Sequence, residues 1–279
     1  MSEYLKFYAV IGNPIAHSKS PDIHAQFAAQ CGISLRYERV LAPMDGFTAT
    51  VDELRAQGLR GCNVTVPFKL DAFTYATKCS SDVLWAGAAN TLSFTKELVT
   101  ADNTDGIGLV RDVTRNLNTP LSGKKVLLLG AGGAARGVLR PILSERPVAV
   151  LVKNRSLDKA QAWLAQIAQN PDFAQVTQGI ELRVQAWVDE TVESYDVVIN
   201  ATASGLGDEF TPPQGVLFNS NALAYDMMYG KQTGFMTWAQ SQGAKIADGW
   251  GMLVEQAAAS FQIWHGIAPD TAPLLQRGA

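Results

Sequence analysis

The chain has 279 residues, 47% of them apolar and 18% charged, with a formal net charge of −3. This is an ordinary globular composition, long enough for two compact domains. Such mild acidity excludes a bulk field for nucleic acid or an anionic membrane, so a bound anion needs a local site. The three cysteines, Cys31, Cys62 and Cys79, form no C-x-x-C pair. A disulfide framework and a zinc site are therefore not expected, and a reducing compartment is. Met1 to Val10 carries Glu3 and Lys6 where a signal core would lie, and no run of about 18 apolar residues follows, so the expected location is the cytoplasm.

Strand-like runs alternate with helical periods along the chain. A strand is predicted over Tyr4–Gly12 and a helix over Pro21–Gln30, with Pro21 at its start. Further strands are predicted at Cys62–Val66, Lys125–Leu129, Ala149–Val152, Tyr195–Ala201 and Leu223–Met228. Helical periods cover Ala134–Leu143, Leu157–Ala168 and the apolar Met252–Trp264, and Pro141 is expected to bend the first of these. This alternation predicts an α/β fold of parallel sheets with helices on both faces. The pattern changes near Asp105–Gly106 and returns near Gln242. The expected layout is two α/β domains: a discontinuous substrate-binding domain, 1–105 completed by 242–279, and an inserted dinucleotide-binding domain of Rossmann type at 106–241.

Lys125 to Leu129 runs into Gly130-Ala131-Gly132-Gly133-Ala134-Ala135, and a helical pattern follows. Gly130, Gly132 and Ala135 fit G-x-G-x-x-A: a tight turn, a close approach to pyrophosphate, and close helix–strand packing. A bare triplet is weak evidence, but here the strand before it and the helix after it are both correct. An NAD site usually places an acid at the end of the next strand, about 20 residues on. This chain has Val152-Lys153-Asn154-Arg155-Ser156 there, with Lys159 one turn further. Arg155 can lay its fork on a 2′-phosphate, Lys159 adds charge, and Ser156 can bind phosphate or cap the helix. Asp158 falls inside the helix, so the reading favours NADP over NAD.

Four polar segments stand out elsewhere. They are Gly12-Asn13-Pro14-Ile15-Ala16-His17-Ser18-Lys19-Ser20-Pro21, Asn63-Val64-Thr65-Val66-Pro67-Phe68-Lys69, Ala88-Ala89-Asn90-Thr91 and Asp102-Asn103-Thr104-Asp105-Gly106. Ser18 and Ser20 lie where hydroxyls can face a ligand, and alternation puts Asn63 and Thr65 on one strand face. Taken alone, Lys69 and Asp105 would read as a surface ion pair. Taken in order with Asn154-Arg155-Ser156, Asn200-Ala201-Thr202, Tyr225-Asp226-Met227-Met228-Tyr229 and Asp248-Gly249-Trp250-Gly251-Met252-Leu253-Val254-Glu255-Gln256, the motifs closely resemble the shikimate dehydrogenase family. The resemblance runs from Tyr8 to about Pro269.

The resemblance implies NADP-dependent reduction of the ketone of 3-dehydroshikimate, with Lys69 and Asp105 at the reacting carbon. Hydride delivered to a ketone leaves an alkoxide, which needs a proton donor or cation beside it. By the same resemblance Ser18, Ser20 and Tyr229 read the substrate carboxylate, and Asn63, Thr65, Asn90 and Gln256 hold the ring hydroxyls. Cofactor contacts are implied at Gly130, Ala131, Gly132, Gly133, Ala134, Asn154, Arg155, Ser156, Lys159, Thr202, Met227 and Gly251. No metal, nucleic acid or membrane partner is implied, and the expected state is a monomer or a symmetric dimer.

Two other readings stay open: a broader quinate/shikimate dehydrogenase also using NAD, and a non-catalytic ligand-binding relative. Such a relative would be free to lose Lys69 and Asp105, yet both are present. Several positions depart from the family pattern: Ala101, Ala203, Trp250, Gly234, and Lys159 where arginine is usual. His17, His24 and His265 lack metal-ligand spacing and are expected to be structural, as are Trp163, Trp187, Trp238 and Trp264. Cys62 is expected to be an inert buried thiol.

Overall fold

The computed structural model describes residues 5–202 and 210–276. Tyr4, where the first predicted strand begins, and Ala203 lie outside them. The chain divides into two compact units, Met1–Gly108 with Leu253–Ala279, and Leu109–Met252.

In the first unit the order is β1 (Lys6–Gly12), α1 (Ser20–Cys31), β2 (Leu35–Leu41), α2 (Phe47–Ala56), β3 (Leu59–Val64) and α3 (Lys69–Tyr75). It continues with β4 (Lys78–Cys79), α4 (Ser81–Ala86), β5 (Thr91–Phe94), β6 (Val99–Asp102) and α5 (Asp105–Arg111), whose end lies in the second unit. Pro21 sits in the first turn of α1, and Gly32 closes that helix in the left-handed conformation, at φ 64°. The six strands are ordered β2-β1-β3-β5-β6-β4. The sheet is parallel from β2 to β3, and β5 then runs antiparallel to both β3 and β6. Only residues 95–98 join β5 to β6, too few for a parallel crossover, so the pair is a hairpin. Phe7, Ile11, Phe47, Cys62, Phe68 and Leu92 belong to the core on this sheet.

The second unit opens with a π-helical turn, Asp112–Asn116, that continues α5. Then come β7 (Lys125–Leu129), α6 (Gly133–Ser144), β8 (Ala149–Asn154), α7 (Leu157–Ile167), α8 (Phe173–Thr177), β9 (Glu181–Ala186) and β10 (Glu193–Asn200). β11 (Val216–Asp226), α9 (Gly234–Ser241) and β12 (Lys245–Ala247) follow. α10 (Trp250–His265) leads back to the first unit, which ends with α11 (Ala272–Leu275). The strand order is β12-β11-β10-β7-β8-β9, all parallel. This doubly wound order reverses between β7 and β10, where ligands of open α/β sheets bind. Val126, Leu127, Leu128 and Leu129 are wholly buried, as a central parallel strand requires.

The return after Gln242 differs from the sequence expectation. Residues 245–247 pair with β11 in the second sheet, so the chain re-enters the first unit only within α10. α6 runs through Pro141 as a single helix. No helix among the described residues is long and apolar enough to cross a membrane. No cluster of His, Cys, Asp or Glu that could hold a metal ion occurs among them.

Candidate active site and cofactor cavity

In the first unit, short connections after strands bring the polar motifs together. Lys69 opens α3 just past β3, and Asp105 opens α5 just past β6. The Lys69 Nζ lies 2.5 Å from the Asp105 Oδ2, with side-chain exposures of 24% and 10%. The other carboxylate oxygen, Oδ1, accepts from the Asn90 Nδ2 at 2.8 Å. The Asp105 backbone N–H donates to the Asn103 Oδ1, and the Asn103 amide is itself held by the Ala88 carbonyl. The backbone N–H of Ala89 donates to the Lys69 carbonyl, tying the Asn90 loop to the start of α3. An ion pair fixed at this many points is a preorganised one.

Asn90 is 3% exposed and its amide is fully employed. Its Oδ1 accepts from the Thr104 N–H and from the hydroxyls of Thr91 and Thr104, while its Nδ2 also reaches the Thr104 hydroxyl. The Gln256 Oε1, on α10, lies 3.4 Å from both the Asn90 Nδ2 and the Thr104 Oγ1. Asn63 is engaged in the same way. Tyr37 donates to its Oδ1 at 2.7 Å, and its Nδ2 faces the Asn90 carbonyl, the Thr91 Oγ1 and the Ser260 Oγ. Thr65, half-buried, donates its backbone N–H to the Ile11 carbonyl. The Ser18 and Ser20 hydroxyls lie 3.3 Å apart at the start of α1.

Behind this network lies an aromatic layer. His24 is wholly buried and stacks on Tyr37 with ring centroids 4.3 Å apart. Burial lowers its pKa to about 3, and His265 is lowered by burial to about 4. Burial also raises the Tyr37 hydroxyl well above the phenol range and pushes the Cys62 thiol up. Trp264 stacks on Tyr8 and donates its indole N–H to the Leu92 carbonyl. Trp163 is buried, and Trp187 and Trp238 pack against Phe210.

The second unit carries the other predicted group. Gly130 follows β7 with φ 106°, a conformation suited to glycine, and donates its N–H to the Lys153 carbonyl. A Cβ there would also press on the Ala201 carbonyl and Thr202, which stand just past β10. Gly132 caps α6 with open space where a side chain would be, and the early N–H groups of that helix face the turn. Beside the turn is a cavity of about 620 Å³ lined by Ala131, Gly132, Arg136, Asn154, Arg155, Ser156, Lys159 and Ala162. Its lining holds three cations and no carboxylate. Ser156 is the N-cap of α7, but its hydroxyl makes no capping bond. The Asn154 amide closes the turn onto the Ser156 carbonyl. Lys153, by contrast, points into the protein, where its Nζ is held by the carbonyls of Asp189 and Gln214.

The rim near β10 and β11 is also tied. Thr202 donates to the Asn200 Oδ1, and Asn200 and Thr233 both donate to the Asp226 Oδ2. The Met227 N–H donates to the Asn200 carbonyl, and the Met227 carbonyl fills the space where Gly249 lacks a Cβ. A Cβ on Gly251 would fall on the Asp112 carboxylate, which accepts from the Tyr225 hydroxyl at 2.6 Å. Gly251 is thus required by its own neighbour. Tyr229 meets the Trp250 ring edge-on at 6.1 Å, and burial raises its pKa.

Lys69, Asp105, Asn63, Asn90 and Gln256 therefore join one network. Thr65 and the Ser18–Ser20 pair belong to the same unit, and Tyr229, Met227, Thr202 and Gly251 belong to the other. Sequence reasoning assigned no role to Tyr37, Thr91, Thr104, Ser260, Asp112 or Arg136. Ser260 carried a usable signal, being polar in an apolar helix and one turn from Gln256. Tyr37 carried none, since its strand was not predicted.

Family models agree with this layout. Residues 10–92 match the shikimate dehydrogenase substrate binding domain, 112–206 the shikimate / quinate 5-dehydrogenase family, and 249–277 the shikimate 5′-dehydrogenase C-terminal domain. The chain is 51% identical over 269 residues to the shikimate dehydrogenase (NADP(+)) of Methylobacillus flagellatus, covering 96% of this chain and 97% of that one. Among solved structures it is similar to an Ael1 enzyme from Pseudomonas putida, with TM-score 0.88, 40% identity and 98% of both chains covered. It is also similar to shikimate 5-dehydrogenase from Thermus thermophilus in complex with NADP(H) and shikimate, with TM-score 0.80, 28% identity, and 99% and 100% of the two chains covered. The chain belongs to the shikimate dehydrogenase family.

Proposed function

We propose that this chain is an NADP-dependent shikimate dehydrogenase, interconverting 3-dehydroshikimate and shikimate on the route to chorismate and the aromatic amino acids. The Lys69–Asp105 pair, bonded at 2.5 Å and braced by Asn90, carries the reading. The first unit binds the substrate and the second the cofactor. The cavity beside the glycine turn fits NADP: three unpaired cations, an uncommitted Ser156 hydroxyl and the open Gly132 suit a phosphorylated ribose next to a pyrophosphate. Arg155, Ser156 and Lys159, with Asn154 shaping their turn, hold the 2′-phosphate. Gly130 to Ala134 serve the pyrophosphate, and Thr202, Met227 and Gly251 serve the nicotinamide half. NADPH when bound supplies the hydride for the ketone.

The protein's own work is at the oxygen. As the carbonyl is reduced its oxygen gains negative charge, and the Lys69 ammonium stabilises that charge and delivers a proton. Asp105 keeps the ammonium in place and accepts a ring hydroxyl. In the reverse direction the neutral Lys69 amine takes the hydroxyl proton. Thr65 and Gln256 face the ring hydroxyls. Asn63 and Asn90, whose amides are engaged by protein partners, hold the walls of the site. Ser18, Ser20 and Tyr229 read the carboxylate through hydroxyls, so geometry sets selectivity more than charge does.

The test is a panel of shikimate and quinate with NADP and NAD, followed by absorbance of the reduced nicotinamide. Turnover of shikimate with NADP is expected. Equal turnover of quinate or with NAD would move the chain to the broader dehydrogenase. Binding of shikimate and NADPH without turnover would make it a ligand-binding relative.

A further inference from the structure

Among the described residues, Arg136, Arg155 and Lys159 line one cavity, and none of the three is paired with a carboxylate. Like charges gathered without acids repel one another, and an anion relieves that repulsion. Arg155, on the turn after β8, and Lys159, in the first turn of α7, are already assigned to phosphate by the proposed function. Arg136 comes from a different element, one turn into α6, where no cofactor motif points.

We infer that Arg136 is a further phosphate-binding cation, contacting the 2′-phosphate of the adenosine half and so helping to select NADP over NAD. The inference rests on the cofactor reading above and adds a residue to it. Side chains on a helix lean toward its N-terminus, which brings this guanidinium back over the glycine turn. Its Nε donates to the Ala131 carbonyl at 3.2 Å. Its Cζ stands 5.6 Å from the centroid of the buried Trp163 ring. One edge of the fork is thus pinned to the turn and one face lies over an aromatic ring, which leaves its terminal nitrogens to the cavity. Partial burial lowers its pKa, so the charge is already partly stripped of water. A desolvated cation without a protein counter-ion gains most from an ionic ligand.

The position also separates the phosphates. The pyrophosphate is served by N–H groups at the start of α6, which need no side chain. Arg136 shares its cavity with Arg155, Ser156 and Lys159, on the side where an NAD site would carry an acid.

Calorimetric titration of the full chain with 2′,5′-ADP and with 5′-AMP tests this. Arg136→Met keeps the aliphatic stem against Trp163 and removes the charge. It should weaken 2′,5′-ADP by roughly tenfold and 5′-AMP by less than about twofold. Arg136→Lys restores the charge without the fork and should recover part of the loss, which shows that the position tolerates substitution. Equal losses for both nucleotides, or no loss for 2′,5′-ADP, overturn the inference. Arg155→Met runs beside them. A selective loss there without one at Arg136 overturns the inference alone, and no selective loss at either position removes the NADP reading itself.

Discussion

The two units solve opposite binding problems. Around Lys69 the first unit binds its polar groups to one another: Asn63, Asn90, Thr91, Thr104 and Ser260 form a closed set of hydrogen bonds, and the single cation has its carboxylate. Around Arg155 the second unit does the reverse, leaving three cations without acids beside an open glycine. The hydroxyls of a polyol ring need donors and acceptors held in close register, because their binding is a sum of directed bonds. A phosphate dianion needs charge and room, and tolerates looser geometry. Rigidity therefore belongs to the substrate half and unspent charge to the cofactor half.

The largest way to break this comparison is Lys69→Ala. It removes the cation from the network and leaves Asp105 as a largely buried carboxylate without its ion-pair partner. We expect kcat to fall by at least about 10²-fold with a smaller change in KM. Steady-state rates with shikimate and NADP check this, and near-normal kcat would remove Lys69 from the chemistry. Arg155→Ala probes the other half. It should raise the KM for NADP by about tenfold or more while NAD changes little, because only the phosphate loses its partner. Equal losses for both cofactors would refute the phosphate role.

What was legible in the sequence follows the same division. The cofactor half is a local object: Leu129, the turn at 130–133 and the first turn of α6 are contiguous, and β7 announces itself by a wholly apolar run. Lys69 and Asp105 were legible because each sits in a short distinctive motif. The network that braces them was not, since Asn63 and Ser260 are 197 positions apart. β2 was missed because Arg36, Glu38 and Arg39 interrupt its apolar pattern, as suits an edge strand that parallels β1 alone. β5 and β6 were missed because each is four residues long. β12, at three residues, is too short to show a period, so the end of the second unit was placed too early.

A smaller effect sharpens the claim of rigidity. Tyr37→Phe keeps the ring stacked on His24 and deletes only the hydroxyl that donates to Asn63. The Asn63 oxygen, in a residue 6% exposed, then loses a donor. We expect a stability loss of about 1–2 kcal/mol by urea denaturation and a kcat lowered several-fold, with the NADP and NAD preference unchanged. A changed cofactor preference would mean that the two halves are not independent in the way proposed.

The last prediction concerns acid, and it too divides the molecule, because His24 and His265 both belong to the first unit. His24 is buried and its folded pKa is about 3, against an ordinary value of 6.5. For a base, a lowered pKa means that the native state binds the proton less readily than the unfolded chain. The group therefore costs nothing well above pH 6.5, and below it the unfolded state gains a proton that the native state refuses. Stability should fall as pH drops from 6.5 toward 3, because over that window the unfolded chain takes up a proton at this group and the native state does not. His265, lowered to about 4, acts in the same direction. His24→Phe keeps an aromatic ring against Tyr37 and Phe261 and removes one titrating group. Its urea midpoint should therefore lose less between about pH 7 and about pH 5 than that of the parent chain, and the slope that remains should report His265 and the carboxylates. An unchanged slope would show that His24 is protonated in the folded state, and that the layer behind Asn63 is wetter than its complete burial implies.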